Sequence, residues 1–330
     1  HGRGKPRFGV DFCVRIGQHG RMNVAIACGG CGGHIFPGIA AGEGLRARGH
    51  DVTLWLGGRR VEELSTAAWD GPVERIRAEG FPSDLSWRAA VAGWRLLTSV
   101  RTCRRRMRAA PPDVVLAMGS YASAGPGLAA RMLKIPLVLH EANAVPGKAV
   151  LFLARYADIV ALGFASAEPY FTGRRRVVTG FPLRHELKGA APLAGVAPNR
   201  FTVLVMGGSQ GAHALNATVP EAIGAMVQEG AELQVVHLSG AADEDAVRGR
   251  YAAAGVTAHV FGFLRDMGGA YAAADLAICR AGAATCAELT RCGVPALLVP
   301  LPWAAHDHQR ENARAMVVSG GADMMEQDEL

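Results

Sequence analysis

The sequence predicts an α/β protein built from two doubly wound, parallel-sheet domains facing across a cleft. Three observations carry this. Short β-rich runs alternate with longer helical stretches punctuated by Gly or Pro, the spacing of βαβ units. The second half repeats the plan of the first. Each half opens with a strand that runs into a Gly-rich turn, Gly29-Gly30-Cys31-Gly32-Gly33-His34 and Gly207-Gly208-Ser209-Gln210-Gly211-Ala212. A length of 330 residues is also too much for one small core and suggests about two domains.

Residues 1–21 begin with His and lack clear periodicity, whereas Met22 leads directly into a strand-like run. The native start is therefore expected at Met22, with 1–21 an upstream extension. The spacing then predicts strands over Val24–Ala27, Val52–Leu56, Val114–Met118, Leu137–His140 and Ile159–Leu162, in a first domain of residues 22–180. The Gly-, Pro- and Ala-rich segment 181–198 reads as the linker. The second domain, 199–330, has predicted strands Val203–Met206, Leu233–Leu238, Ala258–Phe261, Leu276–Cys279 and Ala296–Val299. In such sheets ligands bind beyond the carboxyl ends of the strands, where both Gly-rich turns fall.

Composition narrows the function. Half of the residues are apolar and 19% are charged, which excludes disorder as the dominant state. No uncharged apolar stretch reaches the 18 or so residues of a membrane-spanning helix. Seven cysteines, an odd number, without a secretory pattern at the start point to a reducing cytosol. Charge is uneven: residues 1–180 carry 25 Lys+Arg against 13 Asp+Glu, and residues 181–330 carry 10 against 16. The front half thus suits an anionic partner or is simply a solvated basic face.

A Gly-rich turn that opens a helix presents free N–H groups and the positive end of the helix dipole, which favours phosphate. Two such turns suggest a diphosphate-bearing ligand; tight strand–helix packing is the plainer reading. Arg280-Ala281-Gly282-Ala283-Ala284-Thr285-Cys286-Ala287-Glu288 follows a predicted strand. Its small residues leave room at a helix start, and Thr285 and Glu288 share a helical face. Phosphate on the amides with ribose on Glu288 is one reading, and a Thr285–Glu288 capping box is the other. The polar run Pro300–Asn312 suggests sugar-hydroxyl recognition, with His306, Asp307 and His308 as alternative metal ligands. His140-Glu141-Ala142-Asn143 and Gly119–Ser123 put hydrogen-bonding groups at the same edge, or are surface turns. Cys28 and Cys31 form a lone C-x-x-C, read as packing rather than redox or metal chemistry.

In Trp87–Arg108, Trp and apolar residues interleave with Arg at helical spacing. Trp87, Trp94, Arg101, Arg104 and Arg105 are the candidates for docking on an anionic membrane surface; an ordinary helix covering the sheet is the alternative. Aromatic residues are too few for the stacking platforms of a nucleic-acid binder.

With these segments in view, the chain from about Met22 to Leu330 resembles the bacterial peptidoglycan glycosyltransferases that make lipid II. The motifs are the first Gly loop with His34-Ile35-Phe36-Pro37-Gly38, Gly119-Ser120-Tyr121, His140-Glu141-x-Asn143, Gly180-x-Pro182-x-Arg184, Gly207–Ala212, Arg280–Glu288, and Pro300 through Gln309. The resemblance implies two Rossmann-like domains of the glycosyltransferase B fold. It implies inverting transfer of N-acetylglucosamine from UDP-N-acetylglucosamine to the muramoyl 4-hydroxyl of lipid I, without cofactor or metal, at the cytoplasmic face of the membrane. It further implies donor and acceptor contacts at Cys31, Gly32 and Gly33, and sugar or diphosphate contacts at Asn143, Arg184 and Ser209. Uracil would be read at Leu264, phosphate and ribose at Ala283, Ala284, Thr285, Cys286, Ala287 and Glu288, and sugar hydroxyls at Gln309. His34 is the first candidate for the base and Glu141 the second. The sequence departs from the family at Cys31, where Thr is usual, and at Ala142, where Gln is usual. The family's C-terminal helical stretch, which packs across the domain junction, is expected beyond Leu330. A UDP-N-acetylglucosamine 2-epimerase and a non-catalytic sugar-nucleotide or lipid-binding protein are the alternatives.

Overall fold

A computed structural model describes residues 20–30, 32–58, 69–76, 87–184, 187, 189–208, 211–303 and 307–330, with nothing said of the side chains of 88–90. Among these residues the first domain runs β1 (Asn23–Ala27), α1 (Gly32–Arg46), β2 (Asp51–Leu56), β3 (Val73–Arg75), α2 (Trp87–Ala109), β4 (Val114–Ala117), α3 (Ala124–Leu133), β5 (Leu137–Glu141), α4 (Lys148–Ala154), β6 (Ile159–Leu162) and β7 (Arg176–Val178). The second runs β8 (Phe201–Met206), α5 (His213–Gln228), β9 (Leu233–Leu238), α6 (Glu244–Ala253), β10 (Ala258–Phe261), α7 (Met267–Ala273), β11 (Leu276–Cys279), α8 (Ala283–Cys292), β12 (Ala296–Leu298), α9 (His308–Val318) and β13 (Ala322–Met324).

The sheets are ordered β3-β2-β1-β4-β5-β6-β7 and β10-β9-β8-β11-β12-β13, and every described pairing is parallel. Both orders reverse direction beside the first strand of the domain, between β1 and β4 and between β8 and β11. Such a switch point opens a crevice at the strands' carboxyl ends.

Alternation along the central strands feeds a core on each face. Val24 and Ile26 join one buried cluster with Ile35, Ile39 and Leu54, while Ala25 and Ala27 join the other with Val115, Leu137 and Leu139. In β8, Leu204 and Met206 pack with Ala277, Cys279 and Leu298, and Val203 and Val205 with Leu215, Val219 and Val235.

All ten predicted strands are present within a residue or two of their predicted bounds. The short edge strands β3, β7 and β13 were missed. Each has three residues, half-exposed or exposed, so none offers the apolar run that marks a buried strand. The segment between the sheets is no free tether: Leu183, Leu187, Leu193 and Val196 pack against the second domain's core, and Leu193 N–H donates to Gly269 O at 2.9 Å.

Candidate active site in the interdomain cleft

The first Gly-rich turn links β1 to α1 and is pinned from β4. Ser120 Oγ donates to Gly29 O at 2.6 Å, and Ser123 Oγ to Ala27 O at 2.9 Å. The two serine hydroxyls of the Gly119–Ser123 segment, read from sequence as ligand-facing, therefore hold the loop. Gly32 and Gly33 begin α1, and His34 follows one residue later. His34 is half-buried and its Nδ1–H donates to Met118 O at 2.8 Å. That bond leaves Nε2 as the basic nitrogen. Burial, the largest effect, lowers the His34 pKa, and nearby His308 adds to this against the carbonyl bond. Gly119, at φ 83°, lies against the ring; a Cβ there would meet His34 Cε1 at 3.3 Å.

Glu141 ends β5 and is 2% exposed. Its Oε1 accepts from Asn143 N–H at 2.8 Å and from Asn143 Nδ2 at 3.3 Å, and its Oε2 from Gly147 N–H at 3.2 Å. Both oxygens are thus committed to shaping the 141–147 turn, which makes Glu141 a scaffold for Asn143. Burial outweighs these donors and raises its pKa from the ordinary 4.5 to about 7. Between those values the folded chain holds the proton more tightly than the unfolded chain, so stability falls as pH rises. Melting temperature is expected to drop between pH 5 and pH 8 more steeply in the wild type than in Glu141→Gln, which calorimetry checks. His140 Nε2 donates to Gly180 O at 3.1 Å, tying β5 to the start of the interdomain segment, and burial lowers its pKa to about 4.

In the second domain, Gly211 sits at φ 79° with its Cα so close to β9 that a Cβ would lie 1.9 Å from Ser239 O. Only glycine fits there. Helix α8 starts at Gly282, which has extended backbone and no capping side chain. Thr285 therefore lies in the first turn rather than at the cap, so the capping-box reading of Thr285 and Glu288 fails. The N–H groups of Ala283, Ala284 and Thr285 precede the first N–H that finds a helical acceptor, that of Cys286, and point out of the helix start. Cys286 is corrected: its side chain is fully buried in the core and its N–H donates to Gly282 O at 2.9 Å. Cys286 and Ala287, with Thr290, line an apolar cavity of about 560 Å³ between Gly163–Ser166, Phe181 and α9.

Glu288 is half-buried, and its Oε2 accepts from Tyr271 Oη–H at 2.8 Å. Burial raises the Glu288 pKa, while Tyr271 and Arg184 oppose the rise. Arg184 comes from the interdomain segment, with its guanidinium 5.7 Å from the Phe36 ring centroid of α1. Helices α1 and α8 pack against each other across the cleft. Leu264 is half-buried in the β10–α7 turn, packed on the core, and Asp266 caps α7 through Gly269 N–H at 2.8 Å. Gln309 Oε1 accepts from Leu301 N–H at 3.1 Å, bracing the β12–α9 loop, while its NH₂ remains a donor. Arg280 braces the same loop through Val299 O and Pro300 O.

Two residues to which the sequence reading gave no role of their own belong here. Tyr271 orients Glu288. Asn312 bonds to both domains, and its spacing of three from Gln309 on α9 was the available signal. Cys31, Ser209 and His306 lie outside the described residues. Among those described, no group of three His, Cys, Asp or Glu side chains is placed to hold a metal ion.

The glycosyltransferase family 28 N-terminal domain matches residues 24–162, and the family 28 C-terminal domain matches residues 202–330. The UDP-N-acetylglucosamine–N-acetylmuramyl-(pentapeptide) pyrophosphoryl-undecaprenol N-acetylglucosamine transferase of Aeromonas hydrophila is 42% identical over 92% of this chain and 83% of its own. The enzyme of the same name from Halorhodospira halophila is 42% identical over 93% and 85%. The crystal structure of MurG from Acinetobacter baumannii superposes with a TM-score of 0.75 at 32% identity, covering 94% of this chain and 86% of its own. A UDP-N-acetylglucosamine 2-epimerase structure reaches 0.63 at 15% identity over 94% and 84%, a likeness of fold alone. The chain belongs to glycosyltransferase family 28, among the N-acetylglucosamine transferases that act on N-acetylmuramyl-(pentapeptide) pyrophosphoryl-undecaprenol.

Proposed function

We infer that this chain transfers N-acetylglucosamine from UDP-N-acetylglucosamine to the 4-hydroxyl of the muramoyl sugar of undecaprenyl-pyrophosphoryl-muramoyl-pentapeptide, forming lipid II. The observation that supports it most is the meeting of α1 and α8 across the cleft. One of these helices carries the imidazole of the first domain and the other carries the uncapped start in the second. The acceptor hydroxyl attacks the anomeric carbon, its proton passes to His34 Nε2, and the bond to the diphosphate oxygen breaks with its electron pair. Single displacement inverts the anomeric centre from α to β. Charge developing on UDP is met by the first-turn amides of α8, donors fixed in place before reaction. Arg184 lies beside Glu288 to complete the anionic subsite; Asn143 and the Gln309 NH₂ group read the sugar. Glu288 takes the ribose hydroxyls, and the turn at Leu264 takes uracil. Labelled sugar transfer from UDP-N-acetylglucosamine to a lipid I analogue, with and without EDTA, tests this. Release of N-acetylmannosamine without acceptor would favour epimerase chemistry instead.

The acceptor is a lipid, and the first domain offers a surface for its membrane. On α2, Ser99, Val100, Cys103 and Met107 face the core, while Trp87 (75% exposed), Trp94 (63%) and Leu97 (53%) face outward with Arg101, Arg105 and Arg108. Positions 87, 94, 101, 105 and 108 form one stripe at 3.6 residues per turn. Arg104 lies ten residues from Trp94, about 80° round the helix, and is half-buried. It flanks the stripe rather than belonging to it. No described helix is long and apolar enough to cross a membrane. The stripe fits peripheral docking at the cytoplasmic face, with Trp at headgroup level and Arg on lipid phosphates. Each basic residue near an anionic surface contributes about 1 kcal/mol. Arg101→Glu with Arg105→Glu is thus expected to weaken binding to phosphatidylglycerol vesicles by more than tenfold, measured by cosedimentation, without altering UDP affinity.

A further inference from the structure

Asn312 is fully buried on α9, in the second domain, yet two of its three hydrogen bonds go to the first. Its Oδ1 accepts from Ala144 N–H at 2.8 Å. Its Nδ2 donates to Asn143 Oδ1 at 3.2 Å and to Ala281 O at 3.1 Å. Ala281 directly precedes Gly282, where α8 begins. Asn143 Nδ2 in turn donates to Glu141 Oε1. An unbroken chain of hydrogen bonds therefore runs Ala281–Asn312–Asn143–Glu141, from the start of α8 to the end of β5. It crosses the cleft through one side chain.

We propose that Asn312 is a positioning residue for sugar transfer: it clips the Asn143 turn of the first domain to the helix start of the second when the cleft is closed. The chemistry of the amide suits the role. A carboxamide donates and accepts at once, and here all of its partners are backbone groups or another amide. Asn143 is held at both ends, its NH₂ by Glu141 and its carbonyl oxygen by Asn312, so its rotamer is set only when the two domains meet. Opening the cleft to exchange UDP for UDP-sugar would break the Ala144 and Asn143 bonds and leave those groups to water. Closure remakes them and sets Asn143 again. The clip thus couples occupancy of the second domain to the geometry of the first. Isosteric aspartate cannot replace it, because it has no NH₂ and would set a carboxylate against Ala281 O and Asn143 Oδ1.

The inference rests on the transfer reading above, and its test separates the two. Turnover with a lipid I analogue and UDP affinity by calorimetry are measured for wild type, Asn312→Ala, Asn143→Ala and the double variant. Misplacement of a positioned group costs turnover on the order of 10²-fold. We expect that loss in Asn312→Ala, with UDP affinity within about twofold of wild type, because α8 supplies the nucleotide contacts. The double variant is expected to be no slower than Asn143→Ala. Independent losses that multiply, or UDP affinity that falls in step with turnover, overturn the proposal. If Asn312→Ala does not fold, Asn312→Asp takes its place, since it keeps the volume and the oxygen facing Ala144. Amide exchange across residues 142–147 reads the clip without turnover. Faster exchange there in either variant, with α8 unchanged, supports it, and unchanged exchange overturns it. A wild-type chain that transfers no sugar defeats the functional reading, while the exchange result still decides the clip.

Discussion

Replacing His34 with alanine is expected to lower the turnover number by about 10²–10⁴-fold, the range of a lost general base, while UDP affinity stays near that of the wild type. The imidazole stands in the first domain, with Nδ1–H committed to Met118 O. The proposed nucleotide contacts lie in the second. Removal of the ring therefore touches the proton transfer and not the donor subsite. The same geometry sets the pH profile. Burial places the His34 pKa below its ordinary 6.5, so the ring is neutral at pH 7 and able to accept a proton. The acid limb of kcat/KM belongs below pH 6.5, and His34→Ala should abolish it. Equal losses in turnover and in UDP affinity would show that His34 supports the cleft rather than the chemistry.

Glu288→Ala carries the second large effect. Hydrogen bonds to a charged group contribute about 1.5–3 kcal/mol each. If the carboxylate accepts from two ribose hydroxyls, as proposed, its loss should weaken UDP binding on the order of 10²-fold, at about 1.4 kcal/mol per decade. Tyr271→Phe should give a smaller loss, since it frees the carboxylate from the bond to Tyr271 Oη without removing it. A uridine diphosphate lacking both ribose hydroxyls provides the control. Wild type and Glu288→Ala should bind it alike, and a further drop in the variant would mean that the substitution damages the α8 phosphate subsite instead.

How much of this was legible beforehand follows from what each signal depends on. The buried strands announce themselves by unbroken apolar runs such as Leu276–Cys279, because both faces of a parallel sheet are covered. The three-residue edges β3, β7 and β13 lack that covering and left no mark. Gly211 and Gly119 were visible as glycines, but not the carbonyl that excludes any side chain at the first or the imidazole that crowds one at the second. Cys286 shared a motif with Ala284 and Thr285, yet one further step round α8 turns it into the core. Arg104 stood in the same basic run as Arg105 and lies on another part of the helix surface. Glu141 read as a possible base from its position after a strand, and only its three N–H donors reveal it as the support for Asn143.

From sequence alone came the two doubly wound halves, their Gly-rich turns, the family resemblance and the basic aromatic stripe of α2. The resemblance rests on its motifs and the others on local periodicity and short-range spacing, all of which the chain carries in one dimension. The partners of Glu141, the turning of Cys286 into the core and the interdomain bonds of Asn312 were decided by tertiary structure. Ala144 and Asn312 stand 168 residues apart, and no spacing rule reaches across two sheets. Their pairing exists only because both switch points open toward the same cleft.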